Sequence, residues 1–421
     1  MCEKSFIAVK ITNLLPFYFK IMLSVLDATR IIQSHLLALP DETISVEEAV
    51  GRVLRQSLTA DRDVPPFDRV TMDGIAFQYD AFAGGRRQFA VSGMQIAGQE
   101  AGQLADATAC MEVMTGAVLP MGTDTVVRYE DVVIENGLAT VQIDDIQAGQ
   151  NIHRQGSDRP MGDVLLTLGT RLRPVDVAVA ASVGASSVRV ATLPRVAIIA
   201  TGDELVNVDE TPKPQQIRHS NTYVIQAALR SMGIRATLNH LPDNKELLAI
   251  GLAELLKTND VLVLSGGVSA GKADFVPDTL VSLGVKCHFH KIEQRPGKPL
   301  WFGTTEGDKQ VVFALPGNPV STTMCTYKYV MPHLRASMGQ TEPPVTYAQL
   351  AELVSFKPRL TYFLPVRFSY TPAGLRLAHP LPGSGSGDFT NLTAADAFLE
   401  LPAEQTNFEA GESFVTVGSE Q

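Results

Sequence analysis

The chain has 421 residues, more than one hydrophobic core organises, so two to four domains are expected. Hydrophobic residues make up 45% and charged residues 19%, a globular balance with ample material to bury. The net charge of −10 speaks against a general nucleic-acid binder; it leaves room for a phosphate ligand, which local donors and cations would hold.

Residues 5–22 are apolar, but Lys10 and Lys20 interrupt the run and no small-residue cleavage site follows. The uninterrupted stretch is too short to span a bilayer. Residues 1–22 therefore read as a non-native or disordered extension, with Met22 as the functional start and no membrane partner. Cys2, Cys110, Cys287 and Cys325 lie far apart and form no C-x-x-C pair, which fits reduced thiols in a cytoplasmic protein.

Apolar residues at helical spacing predict a helix over 25–39, ended by Pro40 and Asp41. A strand, a short helix and another strand follow in TISVEEAVGRVL. Residues 61–154 alternate in short strands broken by glycine, as in FAVSG, TVVRYEDVVI and ATVQID, and predict a small β-rich domain. Residues 155–190 suggest a hairpin in GDVLLTLGTRL and a proline-opened helix in PVDVAVAASVGA. With residues 23–60 they would form one discontinuous mixed domain.

Residues 191–340 carry the clearest pattern. RVAIIA, NDVLVLSGG and QVVFALPG are continuous apolar runs of the kind buried in parallel sheets, and helical segments alternate with them. A closing helix is predicted over 319–339. After Pro343-Pro344, residues 341–421 predict a C-terminal, barrel-like β domain. The fold class is thus α/β plus β, multidomain, with a mostly parallel central α/β unit.

Ligands in such sheets bind beyond the carboxyl ends of the strands. Three loops occupy that position: TGDE at 201–204, SGGVSAGKAD at 265–274, and LPGNPVS at 315–321. A fourth segment, RPGKP at 295–299, joins two strands. Gly266, Gly267 and Gly317 would let backbone amides approach an anion, and a helix start adds positive potential. Ser265, Ser269 and Ser321 offer hydroxyls, while Arg295 and Lys298 offer positive charge. Asp203, Glu204, Asp243 and Asp274 would repel an anion unless a divalent cation lay between, which points to Mg²⁺. His288 and His290 share one face of a strand; with no further ligand visible in the sequence, a plain strand is the favoured reading over a metal pair.

PPFDRVTMDG, MTGAVLP, RQGSD, TGDEL, SGGVSAGKADF, RPGKP and LPGNPVS, in that order, resemble the molybdopterin molybdenumtransferase family, called MoeA in bacteria and including the E domain of gephyrin. The resemblance runs from about Met22 to the C-terminus. It implies a molybdopterin-binding type of central domain and a homodimer with its active site between subunits. It also implies insertion of molybdate into adenylylated molybdopterin, with Mg²⁺ present and AMP released. On matching positions it implies roles for Asp73, Thr115 and Asp158, for the acids Glu204, Asp243 and Asp274, and for the basic Arg295 and Lys298. Pro316, Gly317, Asn318, Pro319 and Ser321 match the loop shaping the pocket. The pattern is departed from at Arg69-Val70-Thr71, Ile75, Lys272 and Arg295.

The mechanism expected is electrostatic. Mg²⁺ held by some of Glu204, Asp243 and Asp274 neutralises the pyrophosphate, Arg295 and Lys298 hold molybdate or a phosphate oxygen, and Asp73 arrives from the partner subunit. The molybdopterin adenylyltransferase is a candidate partner. Competing readings are an adenylyltransferase or deamidase built on the same α/β unit, and a catalytically weakened scaffold or peptide-binding protein keeping the fold.

Overall fold

The computed structural model describes residues 22–268, 275–381 and 389–418. The expectations placed on residues 1–21, on Ser269, Lys272 and Asp274, and on the glycine-serine turn at 383–387 lie outside the described residues. Among the described residues no helix is long and apolar enough to cross a membrane.

The centre is a six-stranded sheet in the order Thr237–Leu241, Val196–Thr201, Val261–Ser265, Val311–Leu315, Trp301–Thr304 and Lys286–His290. The first four strands are parallel, and the fifth pairs antiparallel with both neighbours. That antiparallel strand, Trp301–Thr304, is additional to the strands expected from the sequence. It is only four residues long, too short for its apolar run to stand out from the flanking loops.

The two-residue period of a strand divides the sheet's side chains between two cores. Ile198, Val263 and Phe313 pack with Ile225 and Leu229 of the helix Asn221–Arg230. Ile199, Leu264 and Ala314 pack with Leu248 and Leu252 of the helix Lys245–Thr258 and with Leu280 of the helix Val276–Ser282. Covering both faces is why the strands read as unbroken apolar runs.

Two predicted helices are revised. The first ends at Gln33, not Leu39, because Ser34 caps it and the chain then extends, with the Leu37 amide donating to Ser337 Oγ. The closing helix is interrupted: Pro319–Cys325 passes through a π-helical turn, Thr326–Val330, into Met331–Ser337. Pro332 has no N–H to continue the ladder, and the wider turn absorbs the mismatch.

Asp41–Ser45 pairs with Ser187–Ala191, and Leu58–Thr59 with Val164–Leu166, so distant stretches of sequence form one frame around the helix Pro174–Ser182. GDVLLTLGTRL is therefore no hairpin: Val164–Leu166 pairs with Leu58–Thr59 and Arg171 with Val53. Between these strands sits a second six-stranded sheet, running from Gly74–Phe77 to Leu138–Val141 along the chain. Gly74 is required there, because a Cβ would lie 1.9 Å from the Val127 carbonyl oxygen. In the C-terminal region the long strand Thr361–Tyr370 pairs with Arg376–Pro380 on one side and Ala397–Leu401 on the other, closing a five-stranded barrel. Gln294–Arg295 adds to its edge by pairing with Thr361 and Tyr362.

Candidate active site

The carboxyl ends of the parallel strands enclose a cleft of about 110 Å³, walled by Thr201, Glu204, Arg218, Asn221, Ser265, Gly266, Gly317 and Pro319. Asn221 opens the helix Asn221–Arg230, and its Nδ2 donates to Ser265 Oγ at 2.9 Å and to the Gly317 carbonyl at 2.8 Å. One side chain thus ties a helix start to two strand-end loops. Its Oδ1, like Thr201 Oγ1, is buried without a hydrogen-bond partner among the described residues. Unpaired buried polar atoms are expensive, on the order of 1–3 kcal/mol each, and both of these belong to residues that line the cleft.

The floor depends on a glycine. Gly266 has φ +103°, and a Cβ there would lie 2.8 Å from the Thr201 carbonyl and 2.9 Å from its hydroxyl. The Gly266 amide donates to Leu315 O at 3.1 Å, so this N–H is already engaged. Arg218 brings positive charge to the wall, its Nε donating to the Glu210 carbonyl. His219 is held by Thr222 Oγ1 at 2.9 Å and Asn207 Oδ1 at 3.2 Å. Burial and the neighbouring His240 hold its pKa below the ordinary histidine value, so it faces the cleft as a neutral ring.

Of the residues singled out in the sequence, Glu204, Ser265, Gly266, Gly317 and Pro319 line this cleft. Asp243 sits alongside, its amide donating to Asp203 Oδ1 at 3.2 Å. Asn318 and Ser321 face each other: Asn318 Oδ1 accepts from the Ser321 amide at 3.1 Å and hydroxyl at 3.3 Å, capping the helix that Pro319 opens. The Pro316 carbonyl accepts from Thr322 Oγ1. Gly267, with φ +68°, continues the turn after Gly266. Arg295 and Lys298 are exposed at the same edge of the sheet but do not wall the cleft. Arg295 lies over the Phe356 ring, 5.9 Å from its centroid.

Asp73, Thr115 and Asp158 belong to a different surface, at the end of the β-rich sheet. Asp73 Oδ1 accepts from the Thr115 amide at 2.6 Å and hydroxyl at 2.7 Å, which hold its carboxyl below the usual carboxylate range. Asp158 Oδ1 meets His153 Nε2 at 2.8 Å, and His153 Nδ1 meets Arg69 at 3.0 Å. The strand pair Arg69–Val70 and Ile152–His153 binds the two loops together. None of these three acids and hydroxyls walls the cleft of its own protomer.

Sequence reasoning placed Thr201 in the first strand-end loop without giving it a role, and missed Arg218, His219 and Asn221. A signal was available in the run Arg218-His219-Ser220-Asn221, a cationic and polar cluster entering a helix beside a strand end, where anions gather.

Three family models match in succession: the MoeA N-terminal region, domains I and II, over 23–184; a probable molybdopterin-binding domain over 197–336; and the MoeA C-terminal region, domain IV, over 347–416. A molybdopterin molybdenumtransferase of Synechocystis sp. is 41% identical over 395 residues, covering 93% of this chain and 99% of the relative. One of Bacillus subtilis is 32% identical over 380 residues, 88% of each chain. The crystal structure of a molybdopterin biosynthesis MoeA protein from Pyrococcus horikoshii superposes with a TM-score of 0.80 at 26% identity, covering 94% of this chain and all of that one.

Proposed function

The chain belongs to the MoeA family of molybdopterin molybdenumtransferases, enzymes of molybdenum cofactor biosynthesis, and we propose that its cleft binds adenylylated molybdopterin and exchanges the AMP group for molybdenum supplied as molybdate. The observation that carries the reading is the cleft itself, with two unpartnered polar atoms, Arg218 and Glu204 gathered at one strand edge. The ligand would contact Thr201 Oγ1 and Asn221 Oδ1, and Arg218 would attract its phosphates.

The oxygen donors fit a hard cation, which Glu204 and Asp243 would hold; Mg²⁺ usually takes one or two carboxylates and completes its shell with water and phosphate. When bound it supplies charge neutralisation at the pyrophosphate. The chain's own groups do the rest. Asn221 keeps the two loops at fixed separation, the neutral His219 limits water on one wall, and Arg295 and Lys298 attract the incoming oxyanion from the rim. We place the working unit as a homodimer in the cytoplasm, with Asp73 and Thr115 of one subunit completing the cleft of the other. That arrangement accounts for a polar, exposed Asp73 surface lying apart from the cleft in its own chain.

The test is AMP release from adenylylated molybdopterin by the purified chain with Mg²⁺ and low molybdate. Release that depends on protein, and falls in Glu204→Gln, is expected. Tight binding of the nucleotide without AMP release would instead identify a scaffold that keeps the fold and has lost turnover.

A further inference from the structure

We infer that His35, His288 and Asp308 form a binding site for one divalent transition-metal ion, on the side of the central sheet opposite the cleft. One ligand atom from each lies within 4.8 Å of the others, a grouping of metal-binding side chains found at no other place among the described residues. The three come from separate parts of the fold. His35 follows the first helix, Val25–Gln33; His288 lies on the edge strand Lys286–His290; Asp308 ends the turn before Val311–Leu315. Val311 pairs with Val261 at the amino ends of their strands, whereas the cleft is built on their carboxyl ends.

The plain strand favoured from sequence holds as far as His290 is concerned: His288 and His290 do not pair with one another. A register shift between Cys287 and Phe289 interrupts the ladder at His288, and His290 turns to the Val268 carbonyl at 3.0 Å. His288 instead stacks on His35, ring centroids 3.8 Å apart at 33°, with Nε2 2.8 Å from Thr304 Oγ1. His35 Nδ1 lies 3.0 Å from both oxygens of Asp308.

Metal–ligand bonds of ~2.1 Å place tetrahedral ligand atoms ~3.4 Å apart, so the three ligand atoms, within 4.8 Å of one another and with His35 Nδ1 3.0 Å from Asp308, need only small adjustments. His35 and Asp308, whose side chains are 24% and 32% exposed, have the freedom to make them. Two imidazoles and one carboxylate suit zinc, cobalt, nickel or copper, and suit magnesium poorly. Asp308 also borders a cavity of about 490 Å³, lined by Leu37, Pro40, Leu193, Arg195 and Lys309 among others. That cavity gives an ion a route in and leaves room for a water in the fourth position. Bound there, the ion clamps the segment after the first helix to the α/β unit.

The experiment titrates tag-free, chelator-stripped full-length chain with Co²⁺ and follows its visible spectrum. One equivalent should bind with nitrogen–oxygen ligation, be displaced by Zn²⁺ and ignore Mg²⁺. Zn²⁺ should raise the unfolding temperature. His35→Ala and His288→Gln should each weaken binding by about tenfold or more. If either variant fails to fold, Cu²⁺ electron paramagnetic resonance of the wild-type chain decides, with coupling to two nitrogens expected. No saturable binding, a thiolate charge-transfer band from Cys287, or unchanged affinity in a folded His35→Ala would overturn the assignment.

Discussion

Thr201 shows a conflict between stability and use at a single side chain. Its hydroxyl is buried with no partner among the described residues, in a strand whose other members are aliphatic. Thr201→Val removes that hydroxyl and keeps the β-branched shape. The variant is expected to unfold on the order of 1 kcal/mol later by denaturant melts, while AMP release slows at least about tenfold. A variant less stable than wild type would show that the hydroxyl is satisfied in the free protein. His333 gives the complementary case of a buried group that titrates. Burial, foremost, holds its pKa down to about 4, with a weak contact from Nδ1 to the Ile32 carbonyl at 3.3 Å. The unfolded chain binds the proton near pH 6.5, so its contribution is intact above that pH. It is lost as pH falls from 6.5 towards 4, by a total on the order of 3 kcal/mol. Unfolding temperature against pH should therefore fall across that window, and more shallowly in His333→Gln.

At the scale of elements, the parallel strands were the most legible part of the sequence because burial on both faces leaves no polar residue to interrupt them. The loops after them were legible as loops, through their glycines, and five of the residues picked there do wall the cleft. The polar residues were harder to place. Asn318 and Ser321 looked like ligand groups and also cap a helix, while Asn221, which drew no notice in the sequence, bridges two loops. Composition gives an asparagine no direction; only the fold decides whether its amide faces backbone or cleft. Trp301–Thr304 and the π-helical turn were hidden for a similar reason, since neighbouring strands and a single proline define them. Gly266→Ala should probe this scale directly. It adds a methyl against the Thr201 carbonyl at a positive φ, and should abolish nucleotide binding by calorimetry while the circular dichroism spectrum stays native.

For the molecule as a whole, the proposed homodimer makes a prediction about the surface of Asp73 and Thr115. If each site combines both chains, two inactive variants can repair one another. Asp73→Ala and Glu204→Gln should each lack AMP release, and an equal mixture, unfolded and refolded together, should recover about a quarter of wild-type activity, because half the dimers carry one intact site. No recovery, with mixed dimers shown to form by mass spectrometry, would place the whole site within one chain.

The β-rich sheet leaves and re-enters the frame through paired strands, Thr59 lying opposite Val164 and Val64 opposite Arg159. Its two attachment points are therefore adjacent, as in a module spliced into a host. Cutting at Thr59 and Val164 and closing the gap with a short glycine turn should leave a host that still melts cooperatively. The excised piece carries Asp73 and Thr115, so the shortened chain would keep the cleft and lose the surface that holds those two residues. Such a splice tests whether host and insert are separable pieces of one chain.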